Sequence, residues 1–248
     1  CSSQHPTEIQ HKVSDAIGTE MHNVTVEVRR MGGAFGGKES QGTALAIACA
    51  IASTETDKPC KMRYDRDDDM ILTGKRHDFR IDYEVGVDQR GKILGIRFEH
   101  FVRCGWSQDL SLPVCDRAML HADNAYNLTD VEIISHRLKT NTQSNTAFRG
   151  FGGPQGIIGI ERAIDQIAHH LNLDPVDVRK TNFYKSSESL KKDKSSMPDT
   201  TPYGMPVTDS ISEKLLNSLS KTANYKIRCK EIQKWNKEHE FVKKGIGF

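Results

Sequence analysis

The sequence predicts an α+β fold, mixed β-sheets packed with helices, from three observations. Alternating apolar residues (Val24, Val26 and Val28; Phe79, Ile81, Tyr83, Val85 and Val87) carry the period of two of half-buried strands. Ile157, Ile160, Ile164, Ile167 and Leu171 carry the spacing of one helical face. Two glycine-rich loops, Gly32-Gly-Ala-Phe-Gly-Gly-Lys-Glu39 and Ala147-Phe-Arg-Gly-Phe-Gly-Gly-Pro-Gln155, each lie between strand-like and helix-like sequence. Glycine there lets the backbone approach a ligand closely and aims helix N-terminal N–H groups at anionic or oxo groups.

Along the chain, 6–17 is expected as an amphipathic helix, with Ile9, Val13 and Ile17 on one face and Gly18 as its stop. A strand through Val24, Val26 and Val28 delivers the first loop. Residues 44–52 (Ala-Leu-Ala-Ile-Ala-Cys-Ala-Ile-Ala) are apolar almost all round, so that helix is expected to be buried, Cys49 included. A short strand is expected at 61–64. Phe79 to Val87 and 93–102 form a hairpin about the turn Asp88-Gln-Arg-Gly91. Residues 105–127 read as a long polar and aromatic loop, and such loops are usually functional. A strand at 131–138 precedes the second loop, a helix at 156–171 follows it, and Asp174-Pro175 caps and starts another. Residues 186–202, rich in Ser, Lys, Asp, Thr and Pro, read as linker-like. Two further helices are expected at 208–220 and 225–240, and Phe248 reads as the start of a strand.

Composition narrows the function. Lys+Arg 35 against Asp+Glu 33 gives a net charge of +2, which provides no global field for nucleic acid or an anionic membrane. The lysine-rich stretches at 185–194 and 221–244 read as solvated faces. Cys1, Cys49, Cys60, Cys104, Cys115 and Cys229 have neither the spacing of a zinc site nor that of a disulfide framework. No stretch has the length and apolarity of a membrane span or a signal peptide, so a cytoplasmic protein is expected. The chain opens at Cys1 rather than methionine and is expected to be part of a longer polypeptide.

Gly32-x-x-x-x-Gly37-Lys38 has the outline of a phosphate-binding P-loop, but Glu39 stands where a Ser or Thr would hold magnesium. A carboxylate there repels phosphate, so nucleotide hydrolysis is disfavoured.

Four ordered motifs carry a resemblance: Arg29-Arg-Met-Gly-Gly-Ala-Phe-Gly-Gly-Lys-Glu39, Asp67-Asp-Asp-Met-Ile-Leu-Thr-Gly-Lys-Arg-His77, Asp116-Arg-Ala-Met-Leu-His121 and Ser144-Asn-Thr-Ala-Phe-Arg-Gly-Phe-Gly-Gly-Pro-Gln155. Together they resemble the molybdenum-cofactor-binding subunit of the xanthine dehydrogenase family, bacterial type, strongly over 1–184 and weakly in the tail. The resemblance implies a molybdopterin- and substrate-binding region at 1–184, a linker-like loop at 185–202 and a helical extension at 203–248 leading toward a further C-terminal domain. It implies that Gln4, Phe35 and Arg149 lie beside molybdenum and its molybdopterin without being direct side-chain ligands. Gln4 would hydrogen-bond an oxygen ligand, and Phe35 would offer its backbone amide. Glu39 is implied to bind a purine edge, Arg117 to stabilise charge developing on the purine oxygen, and Phe151 to stack on the heterocycle. A guanidinium facing that developing charge favours the transition state over the ground state.

Ala34 replaces the glycine common in the family, which implies strain if the backbone there is left-handed. Aldehyde oxidases of the family commonly carry other residues in place of Glu39 and Arg117, so oxidation of hypoxanthine or xanthine to urate is favoured over aldehyde oxidation. The family's general base, a glutamate in Gly-Val-Gly-Glu, does not occur here, and iron–sulfur clusters, FAD and NAD are implied on other parts of the complete enzyme. The chain alone is therefore expected to be inert, working with the remaining domains or subunits in a homo- or hetero-oligomer. The alternatives are an inert fragment retaining the fold and an assembly surface, or an aldehyde-oxidase-type hydroxylase.

Overall fold

The computed structural model describes residues 1–193 and 195–247. The first helix, α1 (Pro6–Ile17), has proline in its first turn, where no backbone donor is needed, and ends at Gly18 with φ 67°. It buries Ile9 and Val13 as the apolar period requires. Helix α2 (Thr43–Thr56) lies against α1. None of its residues is buried, and Ile51 is 45% exposed. The expectation of a buried helix and a buried Cys49 is thus corrected: Cys49 is only half-buried, because α1 covers just part of the apolar cylinder.

Neither strand expected at 24–28 nor that at 61–64 forms. Val24, Val26 and Val28 are half-buried while Thr25 and Glu27 are exposed, so the alternation of sides is in place. What is missing is a neighbouring strand to complete the ladder, since a strand is defined by its partner.

Helix α3 (Arg66–Leu72) is capped by Asp65, whose carboxylate accepts from Asp68 N at 2.8 Å. Strands β1 (Phe79–Val87) and β2 (Ile93–Gly105) form the expected hairpin. In its turn Asp88 Oδ1 accepts from Arg90 N and Lys92 N at 2.9 and 2.8 Å. The Lys92 amide bond is the main reason the Asp88 carboxyl lies below its ordinary range. Strand β3 (Val131–Lys139) completes a sheet of order β1-β2-β3.

Between β2 and β3, where a long loop was expected, the chain forms α4 (Ser111–Leu120). Val114, Cys115 and Ala118 are buried on one face, but Pro113 and the surrounding polar residues hide that short period in the sequence. Helix α5 (Gly153–Leu171) follows the second glycine loop directly, and α6 (Pro175–Asn182) is capped by Asp174, which accepts from Val176 N at 2.8 Å. The stretch after it holds α7 (Ser187–Lys192) and an antiparallel pair, β4 (Asp199–Thr200) with β5 (Pro206–Val207). Helices α8 (Ser212–Thr222) and α9 (Tyr225–Glu238) end the described chain. The strand expected at Phe248 lies outside the described residues.

The chain divides into two compact units: 1–82, 99–121 and 133–156 in one, 83–98, 122–132 and 157–248 in the other. In the first, Val102, Cys104 and Cys115 form a buried cluster with Phe79, and burial pushes the Cys115 thiol up to about 12. In the second, Arg179 is 7% exposed and donates to Glu161 at 2.7 Å and Asp165 at 3.0 Å. Tyr126 donates to the same Glu161 at 2.6 Å. Val176, Leu216 and Tyr225 form a further cluster joining the helical tail to α6. Among the described residues no helix is long and apolar enough to cross a membrane.

Candidate functional site

All six residues singled out from the sequence belong to the first unit. The first loop makes successive tight turns, Gly37 N donating to Ala34 O at 2.9 Å and Glu39 N to Gly36 O at 3.4 Å. Its left-handed residues are Gly32, Gly33, Phe35 and Gly36. The strain foreseen at Ala34 therefore falls one residue later, on Phe35, at φ 53°. A bulky residue at such φ is a stored cost typical of functional loops. In the second loop the corresponding aromatic, Phe151, has φ 50°.

The two loops meet. A β-carbon on Gly36 would lie 2.9 Å from the Ala147 carbonyl, so only glycine permits this approach. The Arg149 guanidinium sits 5.8 Å from the Phe35 ring centroid, within cation–π range, and Ser40 Oγ reaches Thr146 Oγ1 at 3.5 Å. Gln4 is fastened to the same loop: its Oε1 accepts from Gly36 N at 3.0 Å, and its backbone N donates to Lys38 O at 3.0 Å. With Oε1 occupied, the side-chain NH2 of Gln4 is the group left to donate, and it has no partner among the described residues. Gln4, Phe35 and Arg149 are thus brought together.

The second loop in turn rests on α4. A β-carbon on Gly152 would overlap the Val114 carbonyl oxygen, and one on Gly156 that of Ala118. This contact fixes the helix bearing Arg117 against the loop bearing Arg149 and Phe151. Arg117 is exposed, and its Nε donates to His121 Nε2 at 3.2 Å. Glu39 is half-buried and, among the described residues, its carboxylate pairs with no cation. No ion pair joins Glu39 to Arg117.

Lys38 does not act as a P-loop lysine. Its ammonium donates to Met31 O at 2.5 Å and Ser2 Oγ at 3.0 Å, bracing the loop from within. A cleft of about 590 Å³ is lined by Ala34, Gly37 and Lys38 of the first loop, Thr146 and Phe148 beside or in the second, and Arg76.

Two supports went unrecognised in the sequence. Arg76 donates to Arg149 O at 2.8 Å and lies 4.6 Å from the Phe148 ring centroid, pinning the second loop. His77, almost fully buried, pairs through Nε2 with Ser111 Oγ at 2.7 Å, while its carbonyl accepts from Gln155 Nε2 at 3.2 Å. Burial holds the His77 pKa below its ordinary value, outweighing the nearby charges of Asp109 and Asp78, which raise it. Both residues close the motif Asp67 to His77, and nothing in its spacing distinguishes a brace from a surface pair.

The chain belongs to the family of the molybdopterin cofactor-binding domain, which residues 1–183 match. It is 38% identical to a xanthine dehydrogenase of Calliphora vicina over 99% of this chain and 17% of that protein. It is 37% identical to a xanthine dehydrogenase/oxidase of Gallus gallus, again over 99% of this chain and 17% of the relative. The chain thus spans under a fifth of the length of these relatives. Among solved structures, quinoline 2-oxidoreductase from Pseudomonas putida 86 superposes with a TM-score of 0.81 at 20% identity, covering 96% of this chain and 29% of that one. Aldehyde oxidoreductase from Desulfovibrio gigas gives 0.78 at 24% identity, covering 94% and 24%. These two likenesses establish the fold.

The residues present fit such a cofactor. Where a β-carbon would stand on Gly32 there is open space, so the exposed start of the first loop admits close approach. The spare Gln4 amide and the Arg149 guanidinium, which meets no carboxylate among the described residues, are donors suited to oxygen-rich and pterin groups.

Proposed function

We propose that these residues form the cofactor- and purine-facing part of a molybdenum hydroxylase that oxidises hypoxanthine and xanthine to urate. The observation that carries this reading is the convergence of Gln4, the Phe35 loop and Arg149 at the junction of the two glycine loops. When bound, the molybdenum–molybdopterin group supplies two-electron oxidation and oxygen transfer. Gln4 donates from its side-chain amide to an oxygen of that group, the backbone at Phe35 offers an N–H, and Arg149 flanks it as a fixed cation.

For the substrate, Glu39 accepts hydrogen bonds from the N–H edge of a purine, and Phe151 stacks on its face. Arg117 holds positive charge against the purine oxygen, where negative charge grows during the reaction. The complete enzyme would hold iron–sulfur clusters, FAD and NAD on its other parts, which would supply electron acceptors, and the general base would also lie outside this chain. Accordingly, the purified 248-residue chain reduces no dye with xanthine. Six free cysteines agree with a reducing, cytoplasmic setting.

The test is a pair of variants in the complete enzyme. Glu39→Val and Arg117→Met are expected to lower kcat/KM for xanthine by about 100-fold or more, from loss of charged hydrogen bonds to substrate and transition state. Turnover of a simple aromatic aldehyde is expected to persist. Equal loss on both substrates would contradict the roles given to these residues, and undiminished xanthine turnover would remove the purine assignment.

A further inference from the structure

We propose that His121 is a positioning residue for Arg117, holding the guanidinium in place for the substrate while leaving its charge whole, an inference resting on the role proposed for Arg117. His121 caps the C-terminal end of α4, four residues after Arg117, and side chains at that spacing meet on one helical face. Arg117 Nε donates to His121 Nε2 at 3.2 Å, and His121 N donates to Arg117 O at 3.1 Å, so side chain and backbone tie the same pair. An imidazole nitrogen that accepts carries no proton, which places the His121 proton on Nδ1 and makes the ring neutral.

A neutral partner suits this task better than a charged one. A carboxylate would fix the guanidinium and at the same time neutralise it. The neighbouring Asp116 does not serve, because its carboxylate is taken by Arg137. Among the described residues Arg117 forms no ion pair, and only its Nε is engaged, by the neutral ring. The fork of Nη donors therefore keeps its full charge for a group outside the chain. This is what negative charge growing on a purine oxygen calls for: orientation set before the reaction, with no counter-ion to displace.

The ring stands beside the second loop. Val114, Ala118 and His121 follow one another at the spacing of a single helical face. The second loop rests on that side of α4, with Gly152 at the Val114 carbonyl and Gly156 at that of Ala118. His121 continues the row: a β-carbon on Gly153 would meet its Cδ2 at 3.6 Å. His121 is half-buried while Arg117 is exposed, so the ring is the anchored member of the pair and the guanidinium the one it holds. The imidazole thus links the placement of Arg117 to the loop that carries Arg149 and Phe151.

The test uses the complete enzyme with xanthine and an aromatic aldehyde as substrates. His121→Ala is expected to lower kcat for xanthine about tenfold, with KM changed less than about twofold, because the orientation matters most as charge develops. Aldehyde turnover is expected to hold. His121→Phe, which keeps a ring but accepts no hydrogen bond, should lose as much as His121→Ala. His121→Gln, which restores an acceptor at the end of the side chain, should recover kcat to within about threefold of the parent. In an Arg117→Met background His121→Ala should cost nothing further, as for two residues that act as a unit. Full activity in His121→Phe, no recovery in His121→Gln, a further loss of about tenfold in the Arg117→Met background, or a parallel loss on the aldehyde would each overturn the proposal. Undiminished xanthine turnover in Arg117→Met would remove the proposed role of Arg117 and with it that of His121. Loss in Arg117→Met with His121→Ala unimpaired would overturn the His121 role alone.

Discussion

The two glycine loops share a plan and differ in completeness. Both place an aromatic at positive φ, near 50°, among glycines, and both lead toward a helix. Behind the second loop the support is finished: Gly152 and Gly156 seat against the backbone of α4, whose Val114, Cys115 and Ala118 are buried. Behind the first, α2 buries nothing, the flanking 24–28 and 61–64 lack partner strands, and Met70, Ile71 and Leu72 of α3 are 52%, 69% and 56% exposed. The lesson is that a site can be locally preorganised although little buried core supports one half of it. The first loop keeps its shape through short-range turns and the bracing of Gln4 and Lys38, contacts that need no large core.

The sharpest way to break this contrast is at Gly152. Gly152→Val combines a left-handed φ of 96° with overlap of the Val114 carbonyl, and is expected to cost about 4 kcal/mol or more. Denaturant unfolding would read this, and a loss below about 1 kcal/mol would deny that the second loop is seated on α4. Next is the acid response of the finished region. His100, on β2, is fully buried, and burial lowers its pKa from 6.5 to about 4. Between those values the unfolded chain binds a proton that the folded chain refuses. This contribution to stability is therefore intact above pH 6.5, falls as the pH drops, and is lost by about pH 4. The full loss is on the order of 3 kcal/mol. Urea midpoints across that window, with a histidine titration followed by NMR, check it; a His100 midpoint near 6.5 would contradict it.

The helices give a matched pair. Ile164→Ala on α5, where the side chain is 0% exposed, should cost about 3 kcal/mol. Ile51→Ala on α2, at 45% exposure, should cost under about 1 kcal/mol in this chain. Equal losses would mean that α2 is as well covered as α5. The smallest effect is expected for Gly32→Ala: its φ of 69° is strained for alanine, but nothing lies within 4 Å, so about 1 kcal/mol should suffice. A loss several times larger would show that the start of the first loop is not open.

Much of this was legible in the sequence where signals were local. Gly18 marked the end of α1, Asp174-Pro175 the start of α6, and Asp88 to Gly91 the hairpin turn, because caps and turns act over a few residues. Helix α4 was not legible, since its buried positions number only a few and Pro113 masks them. The strands at 24–28 and 61–64 and the burial of α2 were read from patterns that are present, yet those patterns are satisfied only by partners. In the site, Gln4, Phe35 and Arg149 were recognisable through motif resemblance and do come together. Arg76 and His77 brace by tertiary contact alone, through the Arg149 carbonyl and Ser111, which no spacing along the chain announces.

The central claim is that the junction of the two loops faces the cofactor. It is tested most directly by locating molybdenum through anomalous X-ray scattering in crystals of the cofactor-loaded complete enzyme. The metal is expected beside the Phe35 loop and Arg149, with the side-chain amide of Gln4 directed to one of its oxygen ligands. Metal bound away from both loops, or a Gln4 side chain that reaches no atom of the bound group, would contradict the account.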